Sequence, residues 1–139
     1  MIFKVRSTKD FNLVLELNSK IFPEDKLELD EKTVAWIVYN SQGQPVAFCT
    51  ARKLLYGILY MDRAGVLPDY QGKGIHRKLI NARERFAKKN GFKKIITYVM
   101  KHNYQSLCTL VRCDFKLYNP EYAYAGREVL YFIKVFKSK

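Results

Sequence analysis

The segment from residue 58 to residue 90 constrains the fold more than any other part of the 139-residue chain. Ile58 to Val66 has the composition of a strand, and Pro68 predicts its end because proline cannot donate to a ladder. Gly74 to Asn90 predicts the strongest helix, since four apolar residues share one arc: Ile75, Leu79, Ala82 and Phe86. A strand, a tight loop and a long helix in this order place a helix N-terminus beside a strand end.

The loop between them, Gln71 to His76, has the chemistry of a phosphate site. The first N–H groups of a helix lack partners within the helix, and its dipole favours anions there. Glycines let an anion approach the backbone, and Lys73 and Arg77 add positive charge. A Walker loop and a dinucleotide fingerprint are excluded because their glycine spacings are absent. From these residues alone, a plain connecting turn is as good an interpretation as a pyrophosphate site.

The rest of the chain predicts one domain, residues 1–139, of the α/β class. The sheet is mixed and mostly antiparallel, with helices on both faces, in the order β-α-α-β-β-β-α-β-α-β-β. The segment from Ile95 to Met100 predicts a strand buried on both faces. The other expected strands are Ile2–Arg6, Trp36–Tyr39, Val46–Leu55, Phe115–Tyr118 and Val129–Phe136. The other expected helices begin near Phe11, near Asp30 (a short one, to Val34) and after the cap Asn103.

The charge balance indicates an anionic partner, although solubility alone is also a good interpretation because the basic residues are spread along the chain. Lys and Arg number 25 against 13 Asp and Glu, which gives a formal net charge of +12. Nucleic acid or a phosphate-rich ligand fits this charge, whereas no apolar run approaches the roughly 20 residues of a membrane span. Cys49, Cys108 and Cys113 lack metal-ligand spacing, so we expect no metal, reduced thiols and a cytoplasmic protein.

Two segments in register resemble motifs of the GNAT superfamily of N-acetyltransferases. Val66 to His76 is similar to its acetyl-CoA motif, Val-x-Pro-x-x-Arg/Gln-x-x-Gly-x-Gly/Ala, with His76 in place of the last Gly or Ala. Asn103-x-x-Ser106, followed by Phe115, resembles the family's Asn-x-x-Ala helix that ends in Gly-Phe. Asp114 stands where that Gly usually stands, and aspartate tolerates a left-handed conformation better than most residues.

This resemblance extends over essentially the whole chain and implies transfer of an acetyl group from acetyl-CoA to a primary amine by direct attack in a ternary complex. The strand ending near Val66 would part from the strand at residues 95–100, and the gap would hold the pantetheine arm. A backbone N–H near Val66 would polarise the thioester carbonyl. The residues expected to bind acetyl-CoA are Ala64, Gly65, Val66, Gln71, Gly72, Lys73, Gly74, Ile75, His76, Arg77, Asn103 and Ser106.

The groups that move protons stay open, because Leu110 and Tyr98 occupy the positions where relatives carry a Tyr and a Glu. Asp62 is the first candidate base, although a surface carboxylate paired with Arg63 or a nearby lysine is an equally good interpretation. Tyr98 is the second candidate, although a core aromatic is the favoured interpretation. Further candidates, each with a simpler role in packing or in solvent, are Tyr118, Tyr122, Tyr124, His102 and Cys108. A water-mediated path would need no side chain.

The acceptor amine belongs to a small molecule or a protein. The acidic residues that border its expected entrance are best explained as a solvated face: Glu24, Asp25, Glu28, Asp30 and Glu31. The alternative functions are CoA binding without turnover and nucleic-acid binding, the latter through Arg77, Lys78, Arg85, Lys88, Lys89, Lys93 and Lys94. We expect a monomer, or a homodimer paired through the apolar strand from Val129 to Phe136.

Overall fold

One seven-stranded sheet organises residues 2–137, the part of the chain that the computed structural model describes. Its strands lie side by side in the order β1-β2-β3-β4-β5-β7-β6. The strands are β1 Lys4–Thr8, β2 Thr33–Tyr39, β3 Pro45–Lys53, β4 Ile58–Val66, β5 Lys94–Met100, β6 Lys116–Leu117 and β7 Val129–Val135. The helices are α1 Phe11–Ile21, α2 Ile75–Lys89 and α3 Tyr104–Arg112, and a short 3₁₀ turn covers Pro68–Tyr70. No helix within residues 2–137 is long and apolar enough to cross a membrane.

The expected mixed sheet and the order of its main elements are confirmed, with two local corrections. The prediction of a short helix from Asp30 to Val34 is wrong, because β2 begins at Thr33. The Asp30 carboxylate accepts hydrogen bonds from the Lys32 N–H and from the Thr33 hydroxyl. These local side-chain bonds compete with a helical turn. Burial of β5 on both faces is also wrong, because Tyr98 and Met100 are exposed on one face.

Two apolar cores lie on opposite faces of the sheet. One core joins α2 and α3 to the sheet through Leu79, Leu110 and Val66, and the other packs Val14 and Leu17 of α1 on Phe48. Burial of these side chains provides the main driving force for the three layers. The expected helices on both faces are therefore present.

The parallel pair β4–β5 is joined only at its beginning. Three residue pairs are in register, the last of them Tyr60 with Ile96, and both strands then continue without pairing. Every other neighbouring pair in the sheet is antiparallel. The two strands therefore separate towards their C-terminal ends and leave a cleft between them.

The last long strand, β7, lies inside the sheet between β5 and β6. Because β6 pairs with it at only two positions, Lys116 with Ile133 and Leu117 with Phe132, part of its outer edge has no strand partner. A monomer or a homodimer through this edge stays a prediction, and the mass in solution would decide between them.

A β-bulge shapes β4 next to the cleft. Cys49 pairs with Ala64 and Ala51 with Met61, so Asp62 and Arg63 together oppose the single residue Thr50. The Thr50 hydroxyl accepts from the Arg63 N–H at 3.1 Å, which fixes the extra residue. Bulges of this kind redirect side chains and commonly occur beside functional sites.

Gly65, two residues after the bulge, allows α1 to approach β4 closely. A Cβ at this position would lie 2.7 Å from Phe22 Cε2 and 3.0 Å from Phe48 Cε1. We therefore expect Gly65→Ala to lower the free energy of unfolding by about 1–3 kcal/mol, as overpacking does elsewhere. Urea denaturation measures this change, and an unaltered midpoint with an unaltered slope would contradict the packing described for α1.

Candidate functional site

The separated ends of β4 and β5 form a cleft of about 250 Å³. Met61 to Ala64 lie along one wall and Thr97 to Met100 along the other. His76, Ile80 and Arg83 of α2 line it from one face of the sheet, and residues of α3 line it near the opening. Thr97 Oγ1 donates to Met61 O at 3.0 Å, which bridges the strands directly after their last backbone pair. The cleft is narrow, extended and lined on both sides by strand edges.

A second cavity, of about 390 Å³, lies at the N-terminus of α2. Within the described chain, none of the backbone N–H groups from Gly72 to Arg77 donates a hydrogen bond. Gly72 and Gly74 both have positive φ, +75° and +78°, and a Cβ at either would meet nothing within 4 Å. Arg77 and Arg112 line the same cavity. Free donors, an open backbone and two guanidinium groups suit the pyrophosphate of a nucleotide.

His76 lines both cavities and so stands where they meet. Burial and then the nearby Arg83 charge hold the pKa of this imidazole below its ordinary value of 6.5. The neutral ring is therefore favoured at neutral pH, and it can donate from only one nitrogen. At the position where a small residue was expected, the chain has a neutral, half-buried polar ring.

The residues expected to bind acetyl-CoA separate into three groups. Four line the strand cleft, and His76 is shared with the other cavity: Ala64, His76, Asn103 and Ser106. The others that line the α2 cavity are Val66, Gln71, Gly72, Gly74, Ile75 and Arg77. Gly65 faces α1 instead, and the Lys73 side chain is exposed.

Two of these residues also have structural roles. Gln71 Nε2 donates to Val66 O at 3.3 Å and so ties the loop to the end of β4. Asn103 caps α3, because its side-chain oxygen accepts from the Ser106 N–H at 3.3 Å. Each of these side chains thus shapes the backbone beside the cavity that it lines.

Asp62 brings a carboxylate to the bulged wall of the cleft. Burial raises its pKa above the ordinary 3.8, against the opposing charges of Arg63, Arg52 and Arg83. Among residues 2–137, no lysine or arginine nitrogen lies within 4.0 Å of it. The pairing with Arg63 that the sequence left open does not form, since Arg63 donates to Asn18 Oδ1 at 3.1 Å and lies 3.9 Å from Asp25. An unpaired carboxylate with a raised pKa is suited to accept a proton.

Tyr98 belongs to an aromatic cluster on the α1 side of the sheet. Its ring lies 6.3 Å from that of Tyr60 and 6.2 Å from that of Tyr124. Burial raises the pKa of the Tyr60 and Tyr124 hydroxyls, so these phenols stay protonated at neutral pH. Tyr98 also lines the cleft and is 38% exposed, which is at odds with a plain core aromatic. Tyr118 joins the cluster through a 3.4 Å contact with the Tyr124 hydroxyl.

The remaining candidates lie away from the cleft walls. Tyr122 and His102 are exposed, and the exposed Cys108 lines the α2 cavity. Two of the acidic residues near α1 are held by arginines: Asp25 lies 3.9 Å from Arg63, and Asp30 3.0 Å from Arg52. The other three, Glu24, Glu28 and Glu31, are exposed. This agrees with a structural and solvated role for the acidic segment.

Arg83 was not among the residues expected from the sequence, yet it is buried at 4% exposure and lines the cleft. A signal was available, because Arg83 follows Ile75 and Leu79 at four-residue spacing and so belongs to the apolar stripe of α2. A charged residue on such a stripe needs a partner. Thr97 and Arg63 were also missed, because their positions depend on the separation of the strands and on the bulge.

Comparison with known proteins agrees with this fold. The family model described as Acetyltransferase (GNAT) family matches residues 5–115. The ribosomal-protein-S18-alanine N-acetyltransferase from Escherichia coli superposes with a TM-score of 0.80 at 15% identity, over 99% of this chain and 96% of its own. An acetyltransferase from Bacillus subtilis in complex with CoA superposes with a TM-score of 0.79 at 14% identity, over 98% of this chain and 100% of its own. The spermidine/spermine N-acetyltransferase from Vibrio cholerae superposes with a TM-score of 0.73 at 18% identity, over 96% of this chain and 95% of its own. At these identities the superpositions show the shared fold.

Proposed function

Because the chain belongs to the GNAT acetyltransferase family, we propose that it transfers the acetyl group of acetyl-CoA to a primary amine. The observation that carries this proposal is the cleft between β4 and β5, which opens at the free N–H groups of Gly72 to Arg77. A cleft between strand edges suits an extended chain that contains amides, and the loop at its opening suits a pyrophosphate.

The residues present fit acetyl-CoA at both ends of the proposed site. Beyond Tyr60, the edge of β4 that faces β5 has no ladder partner, so Ala64 to Val66 can pair with the pantetheine amides as an added strand would. The free N–H groups of Gly72 to Arg77 hold the pyrophosphate, and the side chains of Lys73 and Arg77 supply charge. Asn103 and Ser106 bound the arm from the α3 side. Acetyl-CoA contributes an activated thioester as the co-substrate.

Direct attack needs a base for the ammonium of the acceptor, since only the neutral amine is nucleophilic. Asp62 serves as this base in our proposal, because its carboxylate is unpaired and burial raises its pKa. Tyr98 is the second candidate, because this residue lines the same cleft. A backbone N–H at the end of β4 polarises the carbonyl of the thioester.

The acceptor enters from the α1 side in this proposal, where Tyr98 and Arg63 line the cleft and Arg63 contacts Asp25 of the α1–β2 segment. The printed names of two similar structures give a ribosomal protein alanine and spermidine or spermine as acceptors. The formal net charge of +12 disfavours strongly cationic acceptors over long distances. We therefore place a protein or peptide amine ahead of a polyamine.

The test is release of the CoA thiol from acetyl-CoA in the presence of a panel of amines. The panel contains an N-terminal alanine peptide, a lysine peptide, spermidine and an aminoglycoside. We expect release that depends on one class of amine and on enzyme concentration, together with an acetylated product of the correct mass. Tight acetyl-CoA binding with no product from any acceptor would favour the alternative of a CoA-binding protein without turnover.

A further inference from the structure

Arg83 is a buried cation without an acidic partner. Its Nε donates to Leu79 O at 3.2 Å, and its Nη1 to Thr50 O at 3.4 Å, so both of these bonds go to neutral carbonyls. Within residues 2–137, no carboxylate oxygen lies within 4.0 Å of the guanidinium. A buried charge with no counter-charge is costly, and proteins rarely keep one without a use.

The third nitrogen of this guanidinium faces the cleft. Nη2 makes no hydrogen bond, yet every fully buried side-chain nitrogen and oxygen of the described residues has a partner. Nη2 therefore reaches the open volume that Arg83 lines. The two carbonyls fix the plane of the guanidinium, so this donor is held in place.

Arg83 lies at the depth where the thioester is expected, an inference that rests on the proposed use of acetyl-CoA. Along α2, Arg83 follows Gly74 by nine residues, about 13 Å at the rise of a helix. Along β4, Asp62 precedes Val66 by four residues, which is also about 13 Å. An extended pantetheine arm spans a distance of this order, so its sulfur arrives between Arg83 and Asp62.

Among the described residues that line the cleft, no side chain other than Arg83 offers a positive charge without an acidic partner where the sulfur is expected. β4 contributes Asp62 and Arg63, whose guanidinium is held by Asp25 and Asn18. α2 contributes His76, for which burial favours the neutral form of the imidazole, and β5 contributes the Tyr98 side chain. The α3 residues that line this cleft are neutral: Gln105, Ser106, Thr109 and Leu110. None of the α3 residues can act as a strong acid.

We propose that Arg83 stabilises the sulfur of CoA as a thiolate when the thioester breaks. The amine nitrogen forms a bond to the carbonyl carbon, the carbon–sulfur bond breaks, and its electron pair leaves on sulfur. The ammonium first loses one proton to Asp62 or to water, and the nitrogen loses a second proton to water once the new bond has formed, while the thiolate departs beside the guanidinium. A permanent cation held beside the sulfur lowers the energy of this leaving group, so no acid is needed on α3.

The experiment compares the affinities of CoA and acetyl-CoA by calorimetry as the pH rises from neutral to alkaline. Acetyl-CoA has no ionisable sulfur, so the ratio of the two affinities isolates the thiol. A neighbouring cation lowers a thiol pKa by roughly 1–3 units. Bound CoA then loses its proton at lower pH than free CoA, and we expect the ratio to rise by about tenfold for the wild type.

Three variants locate the effect. Arg83→Met is expected to abolish the rise in the ratio, and Arg83→Lys to retain much of it because the charge remains. Arg85→Met removes the same charge two residues away on the exposed face of α2, and we expect it to behave like the wild type.

A ratio that stays flat with pH in the wild type overturns the proposal without any variant, as does an unchanged rise in Arg83→Met. The proposal is also overturned if the affinity ratio of CoA to acetyl-CoA stays flat while the protein prefers malonyl-CoA to acetyl-CoA and only Arg83→Met loses this preference. Arg83 would then bind an anionic acyl group. If neither CoA nor acetyl-CoA binds, the proposed function fails with it. Binding of both with a flat ratio removes the role of Arg83 alone.

Discussion

Gly74→Arg is expected to weaken acetyl-CoA binding by at least about 100-fold, or about 2.7 kcal/mol. Two effects combine at this position. Gly74 has a φ of +78°, where any other L-residue costs roughly 1–2 kcal/mol, so the loop that presents its N–H groups changes shape. The arginine side chain also occupies the open volume in front of these groups, where the pyrophosphate would lie. Calorimetric titration with acetyl-CoA measures the loss.

Gly91→Arg is the matched control. Gly91 follows the other end of α2 with a φ of +77°, and a Cβ there would also meet nothing within 4 Å. This variant therefore introduces the same side chain and the same backbone strain far from the loop. We expect it to bind acetyl-CoA as the wild type does, whereas equal losses in both variants would mean that strain in α2, and not the loop, affects binding.

Asp62→Asn is expected to lower kcat/KM by roughly 10²–10⁴, the usual contribution of a general base. The amide has nearly the same shape but cannot accept the proton, so the affinity for acetyl-CoA should change little. The wild-type rate should fall as the pH drops through the pKa of Asp62, which burial raises above 3.8, because the protonated carboxyl is no longer a base. The variant should lack this decline on the acid side.

Two further variants limit the interpretation of this result. Asp69→Asn changes an exposed carboxylate on the 3₁₀ turn and should leave the rate unaltered. Tyr98→Phe removes the hydroxyl of the second candidate. A large loss in Tyr98→Phe with full activity in Asp62→Asn would transfer the role of base to Tyr98, and full activity in both would indicate a water-mediated path.

The parts of the fold that depend on short-range sequence signals could be predicted. The strand from Ile58 to Val66 and the helix after Gly74 follow from proline, glycine and apolar periodicity, and the structure has both. Asp114 has a φ of 67°, the left-handed conformation expected at the end of α3. In each case the sequence pattern and the structure that it predicts involve neighbouring residues, so the prediction did not depend on long-range packing.

Features that arise from long-range pairing could not be predicted in the same way. The bulge at Asp62 and Arg63 exists only in relation to Thr50 of β3. The separation of β4 and β5 was expected from the family resemblance and not from the residues themselves, because it depends on where the pairing of two distant strands ends. Asp30 illustrates the converse, since its local helix signal gives way to a strand that starts at Thr33 and an ion pair with Arg52. The role proposed for Arg83 depends on the cleft, which the local sequence does not show. Its place on the apolar stripe of α2 indicated only that a charged residue would be buried there.

Calorimetric titration of the wild-type protein with acetyl-CoA, repeated at higher salt and beside duplex DNA, tests the central claim most directly. Nucleic-acid binding through the exposed basic face of α2 would weaken steeply with salt, in proportion to the phosphates neutralised. We predict saturable binding of acetyl-CoA at a single site that persists at higher salt. Salt-sensitive binding of DNA with no binding of acetyl-CoA would contradict the account and with it the roles proposed for Asp62 and Arg83.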